Sequence, residues 1–151
     1  MPKIELTNMV MIQDPATGKV VVQDRLNKWP GISFPGGHVE DGESFMDSAI
    51  REIKEETGID VKNLKLCGVV HWCNNRTYDR YIEFFYKTTN FCGELISETH
   101  EGRVFWASLD EIKKMKLSSC FAEYLTIFLS DEYSEAFYLW NEDETRKVEY
   151  K

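Results

Sequence analysis

Residues Gly37 to Ile59 read GHVEDGESFMDSAIREIKEETGI, and the rest of the chain is organised around them. Acids gather at both ends: Glu40, Asp41 and Glu43 ahead of a predicted helix, then Glu52, Glu55 and Glu56 in its last turns. Ser44 starts that helix, because its hydroxyl can cap first-turn amides, and Asp47 three residues on completes a capping-box pattern. Gly58 ends it. A residue without Cβ takes the left-handed conformation favoured just past a helix, and Ile59 then folds back onto Ile53. At about 100° per residue, Met46, Ala49, Ile50 and Ile53 form an apolar stripe that must face a core.

Glu52, Glu55 and Glu56 stand at i, i+3 and i+4 and share one face, which borders the apolar stripe. Like charges at this spacing repel, and beside a core they are partly desolvated as well. The ordinary reading of such a run is a solvated acidic face partnered by Arg51 and Lys54. A divalent cation is the alternative, since carboxylate oxygens suit hard ions such as Mg²⁺ or Mn²⁺.

The order of the other residues favours the cation. The stretch resembles the signature of the Nudix hydrolases, G-x5-E-x7-R-E-U-x-E-E-x-G-U with U a bulky aliphatic. Gly37, Glu43, Arg51, Glu52, Ile53, Glu55, Glu56, Gly58 and Ile59 fill its fixed positions. Phe34-Pro35-Gly36 ahead of it gives FPGG, which is similar to the MutT-like branch.

The chain's 151 residues suit one domain over 1–151 with a substantial core, with 131–151 expected as a C-terminal extension or a hairpin. At 42% hydrophobic and 13% aromatic, the composition is globular. No apolar run approaches a membrane span and the N-terminus lacks a signal-peptide layout, so a cytoplasmic protein is expected. Cys67, Cys73, Cys92 and Cys120 show no zinc spacing and are expected to be reduced thiols. A net charge of −8 argues against a long nucleic-acid partner, but not against a small anionic one met by a metal ion and local cations.

Strands are expected at Ile4 to Gln13 and Lys19 to Asp24, joined by a turn over Asp14 to Gly18. Another pair follows at Leu64 to Cys73 and Arg80 to Thr89, rich in rings that mostly belong to a core. His71 and Trp72 point to opposite faces of their strand, so at most one can reach a site. Ser119 to Leu129 alternates at helical spacing through Phe121, Leu125, Phe128 and Leu129. The tail from Ala136 to Lys151 reads as a hairpin or as an oligomer contact, which leaves a homodimer open.

The resemblance implies a Nudix α/β/α sandwich with a central mixed sheet, where periodicity alone gives mixed α/β. It implies hydrolysis of a nucleoside diphosphate linked to another group, by water attack at phosphorus with Mg²⁺ or Mn²⁺ neutralising the phosphate oxygens. Glu52 and Glu56 become the principal metal ligands, Glu55 completes the cluster, and the Gly36 carbonyl is a further oxygen. Gly37, Glu43, Arg51 and Gly58 are structural within the motif. A further glutamate is expected in the loop before Trp106, either Glu101 or Glu98. The general base stays open among Glu52, Glu98 and Glu101. Arg25 is the candidate for a phosphate contact, against a surface ion pair with Asp24 or a neighbour. Trp29, Trp72 and Tyr81 are candidates for holding a base. FPGG favours a nucleoside triphosphate, with 8-oxo-dGTP the leading choice. Nucleotide sugars, dinucleotides, capped RNA ends or a non-catalytic nucleotide sensor are the alternatives.

Overall fold

The computed structural model describes residues 1–144 and 146–151. Its elements run β1 (Ile4–Ile12), β2 (Val20–Arg25), β3 (Gly31–Ser33), α1 (Phe45–Thr57), β4 (Asp60–Lys62), β5 (Lys65–Asn74) and β6 (Arg80–Thr88). After them come β7 (Asn90–Cys92), β8 (Glu98–Thr99), β9 (Gly102–Ala107), α2 (Leu109–Ile112), α3 (Phe121–Leu129), β10 (Glu135–Trp140) and β11 (Lys147–Tyr150).

Alternation along β1 and β2 divides the interior in two. Met9, Met11, Val20 and Val22 enter one core, and Val10, Ile12 and Val21 enter the other. Ala49 and Ile53 of α1 close the second core together with Ile59, so the residue after the Gly58 cap does fold back beside Ile53. Phe121, Leu125 and Phe128 of α3 close the first, with Phe34 and Phe85 among them. Helices thus cover both faces of the β-layer, giving an α/β/α sandwich.

The larger sheet is mixed, in the order β1-β6-β5-β10-β11. β1 runs parallel to β6 and β5 parallel to β10, while the β5–β6 and β10–β11 pairs are antiparallel. A second, antiparallel sheet has the order β3-β2-β9-β8. Strands β1 and β2 follow each other across one turn yet belong to different sheets, linked there by a single Gln13–Val20 bridge. The tail folds as a hairpin on β5, so the chain's two ends lie in one sheet. Thr145, in the expected charged turn, lies outside the described residues.

Some apolar expectations fail at the helix ends. Met46 is 37% exposed, because α1 begins beyond the core it covers, and Phe45 beside it stacks on Phe84 instead. Leu129 at the end of α3 is exposed, and Tyr124 takes the buried place. Ser44 caps α1 by accepting from the Asp47 amide at 3.0 Å, whereas the reciprocal capping-box pair forms at Ser108 and Glu111 of α2. All four cysteines are unbridged. Among the described residues, no helix is long and apolar enough to cross a membrane.

Candidate functional site

Arg51 is the hub of the loop-helix segment. Its Nε donates to Glu43 Oε1 at 2.7 Å and its Nη2 to Glu43 Oε2 at 2.9 Å, a two-pronged pair that fixes both groups in a plane. Nη2 also donates to the His38 carbonyl at 3.0 Å, and Nη1 reaches Glu52 Oε1 at 3.0 Å and Glu55 Oε2 at 3.2 Å. The Arg51 hydrogen bonds hold the Glu43 carboxyl down at about 2. The loop ahead of the helix is therefore clamped to its middle turn.

Backbone contacts place Gly36 and Gly37 against β1 and the helix. Asn8 N donates to the Gly37 carbonyl and Val10 N to the Pro35 carbonyl, both at 2.9 Å. The buried Asn8 side chain donates to Ser48 Oγ at 2.9 Å, which in turn donates to the His38 carbonyl at 3.1 Å. A Cβ on Gly36 would overlap the Asn8 carbonyl, and one on Gly37 would overlap the Glu52 carboxyl. These two glycines let backbone and carboxylate meet.

A cavity of about 180 Å³ opens at this point, lined by Gly36, Gly37, Glu52, Glu56, Glu101 and Arg25 among others. Glu56 is 8% exposed, and its Oε2 accepts from the Gly36 amide at 3.3 Å. Burial, then the neighbouring Glu101, hold the Glu56 carboxyl far above its ordinary range. Burial also raises Glu52, against the pull of Arg51. Among the described residues, no three His, Cys, Asp or Glu side chains are grouped as a ready-made metal site. The donor chemistry nonetheless fits a hard cation: all the donors are oxygens, and two of the three carboxyls resist ionisation without a nearby positive charge.

Two of the expected glutamates lie elsewhere. Glu55 is 59% exposed, is bound by Arg51, and does not line this cavity. Glu98, on β8, does not line it either. Glu101 does, and its backbone is anchored beside β2: Leu26 N donates to the Glu101 carbonyl at 3.0 Å.

A second cavity of about 440 Å³ adjoins the first, and Met9, Arg25, Tyr81 and Glu83 line both. Arg25, Trp29, Trp72 and Tyr81 all line this larger space. The ion pair considered for Arg25 is absent among the described residues, and Asp24 instead meets Arg103 at 3.4 Å. Trp72 lies flat on Tyr138 with ring centres 3.8 Å apart, and its Nε1 donates to Tyr124 Oη at 3.0 Å. Trp29 is 45% exposed at the opening. His71 faces away, within 2.8 Å of Arg80 and 3.7 Å of Glu135.

Among the lining residues that sequence reasoning missed, Glu83, Trp140 and Arg146 bear most on the site. Glu83 is a lone acid in the ring-rich strand RYIEFFYKT, and its alternation places it on the same face as Tyr81 and Phe85. Trp140 and Arg146, on the tail hairpin, carried no signal of their own. The Arg146 guanidinium lies 5.2 Å from the Trp72 ring centre, 5.6 Å from that of Trp29 and 6.0 Å from that of Trp140.

Among curated proteins, the chain is 33% identical over 87 residues to the uncharacterized Nudix hydrolase YvcI of Bacillus subtilis, covering 56% of this chain and 55% of that protein. It is 55% identical over 38 residues to the putative 8-oxo-dGTP diphosphatase YtkD of the same organism, covering 25% of this chain and 24% of that one. The matches thus span about half of the first relative's length and a quarter of the second's. The crystal structure of the mutator MutT protein from Bacillus halodurans has the same fold, with a TM-score of 0.77 over 97% of both chains at 21% identity. The sequence model of the NUDIX domain matches residues 5–127. That match contains the whole loop-helix segment and most of the chain, and on it the protein belongs to the NUDIX domain family.

Proposed function

We propose that the chain is a divalent-cation-dependent hydrolase that cleaves a nucleoside triphosphate to its monophosphate and pyrophosphate, with an oxidised purine such as 8-oxo-dGTP as substrate. One observation carries this reading. A small acid-lined cavity opens into a larger ring-lined one, with Arg25 at the junction. That sequence of surfaces suits a molecule with a polyphosphate at one end and a flat base at the other.

Glu52 and Glu56, with the Gly36 carbonyl, would hold Mg²⁺ or Mn²⁺. When bound, such an ion neutralises phosphate oxygens and lowers the pKa of an attacking water. Arg25 offsets further phosphate charge where the two cavities meet. Glu101 is assigned the water's proton, because Glu52 is tied to Arg51 and Glu56 to the Gly36 amide. Arg51 orients acids without touching substrate. Trp29 and Trp72 supply ring faces for the base, which hold it without choosing its identity.

The test is hydrolysis of 8-oxo-dGTP, dGTP and ADP-ribose at equal Mg²⁺, with products identified. Triphosphate cleavage that releases pyrophosphate and stops in excess EDTA is expected. ADP-ribose cleaved far faster than either triphosphate overturns the substrate, and turnover unchanged by EDTA overturns the metal.

A further inference from the structure

We propose that Glu83 selects the base: its carboxylate accepts hydrogen bonds from two adjacent N–H donors on the edge of a guanine-type base stacked beside it. The inference rests on the nucleotide reading above and assigns a role to a residue that the hydrolysis itself leaves unused.

Glu83 is 6% exposed, yet it lines both cavities. Among the described residues its carboxyl makes no hydrogen bond. Ser33 Oγ in the larger cavity and Thr7 Oγ1 in the smaller one are likewise buried without partners. Buried polar groups in folded proteins are nearly always paired, so three such groups around one space point to a ligand that completes them.

The sheet register shows why there is room. Tyr81 pairs with Trp72, and Trp72 with Tyr138, which makes a row of rings across three strands. Two residues along β6, Glu83 pairs with Thr7 on one side and Val70 on the other, and Val70 pairs with Ala136. The carboxyl therefore stands in a row of small side chains, about 7 Å from the ring row and on the same face. A base stacked over the rings turns its edge toward it.

The chemistry of that edge follows from the donors. Trp72 spends its N–H on Tyr124, so it can stack but cannot read. A carboxylate only accepts, and guanine offers N1–H and the 2-amino group side by side. Adenine places an acceptor at N1 and is repelled. Burial lifts Glu83 to about 8, with Arg25 pulling the other way, and two N–H donors would favour the charged form further. Guanine and 8-oxoguanine share this edge, so the oxidised position must be read elsewhere.

Binding tests this without catalysis. The dissociation constants of dGMP, GMP, dIMP and dAMP are measured by tryptophan fluorescence for the wild type and for Glu83→Gln. The wild type should bind dGMP about 10- to 100-fold more tightly than dAMP, with dIMP, lacking the amino group, between them. Glu83→Gln should lose most of that preference by weakening dGMP and leaving dAMP nearly unchanged. Equal weakening for both bases, or weakening that follows the 2′-hydroxyl of GMP, overturns the inference in favour of a packing or sugar-binding role. A flat wild-type series overturns it even if the variant fails to fold. A protein that shows the base preference but cleaves no triphosphate breaks the hydrolase reading alone.

Discussion

Two carboxyls show how differently this chain treats its two halves of one site. Glu43 lies inside the loop-helix segment, gripped by Arg51 and held at about 2. Glu83 lies where the ring-lined cavity meets the acid-lined one, without a hydrogen-bond partner among the described residues, and burial lifts it to about 8. Glu43 and Arg51 satisfy each other within one stretch of sequence, so that pair carries its geometry with it. The region around Glu83 is assembled from the β1 strand, the Arg25–Ser33 stretch, β5–β6, the start of α3 and the tail hairpin, and it leaves polar groups open. A pair complete in itself fixes the shape of its loop, whereas open polar groups leave room for the ligand proposed above.

The largest expected effect would break that contrast at the acids. Glu101→Gln should lower kcat by about 10²–10⁴ if it takes the water's proton, with KM for the nucleotide little changed. Glu98→Gln, outside the cavity, should stay near wild type. Equal losses in the two variants would remove Glu101 from the reaction, and near-normal rates in both would return that loop to an ordinary turn.

Next in size is Arg51→Ala, which attacks the self-contained half through stability. Removing one partner of an ion network leaves several carboxylates unmatched. The cost should be about 2–3 kcal/mol, below that for a fully buried pair, since 24% of the Arg51 side chain meets water. The Glu43 and Glu83 carboxyls also respond to pH with opposite sign. Glu43 sits below its ordinary 4.5, so its stabilisation is present above that pH and is lost as pH falls from 4.5 through about 2. Glu83 sits above 4.5, so the folded state binds the extra proton, and stability falls as pH rises from 4.5 through about 8. Denaturant titrations with chelator present should show Arg51→Ala flattening the acid limb and Glu83→Gln making the alkaline one shallower, with the part due to the raised Glu56 carboxyl remaining. The reverse assignment would mean that neither carboxyl is held as described.

The same division explains what could be read from sequence. The loop-helix segment was legible because its interactions are local: the Ser44 cap, the Gly58 stop and the glutamate spacing all follow from helix geometry. Arg25, Trp29, Trp72 and Tyr81 could be named as candidates, and the fold carries all four to one cavity. Their arrangement could not be named, since it depends on β1 pairing in parallel with β6 rather than with its neighbour β2. Glu83 was hidden because a single acid in a strand does not show which face it takes until its partners Thr7 and Val70 are known. Arg146 was hidden more deeply. It lies beyond the 5–127 family match, on a hairpin that reaches the site only because β10 docks beside β5.

Trp29 and Arg146 carry the smallest predicted changes, and they sharpen the comparison from the open side. Trp29 is 45% exposed, so Trp29→Ala removes a ring face while leaving the core intact. It should weaken nucleotide binding by about 1–3 kcal/mol whichever base is present, because stacking tolerates any base. The whole loss should fall on KM, with kcat and Mn²⁺ affinity kept, because the acids stand in the other cavity. Arg146→Ala removes the guanidinium that faces three indoles and should cost less, about 0.5–2 kcal/mol, also on KM. Arg146→Lys keeps the charge but loses the flat group, so it separates stacking from attraction to phosphate. Binding restored by lysine would mark Arg146 as a phosphate contact and carry the acid-lined cavity's chemistry out to the tail hairpin. Binding still weakened would keep Arg146 with the rings, as a flat wall of the base site.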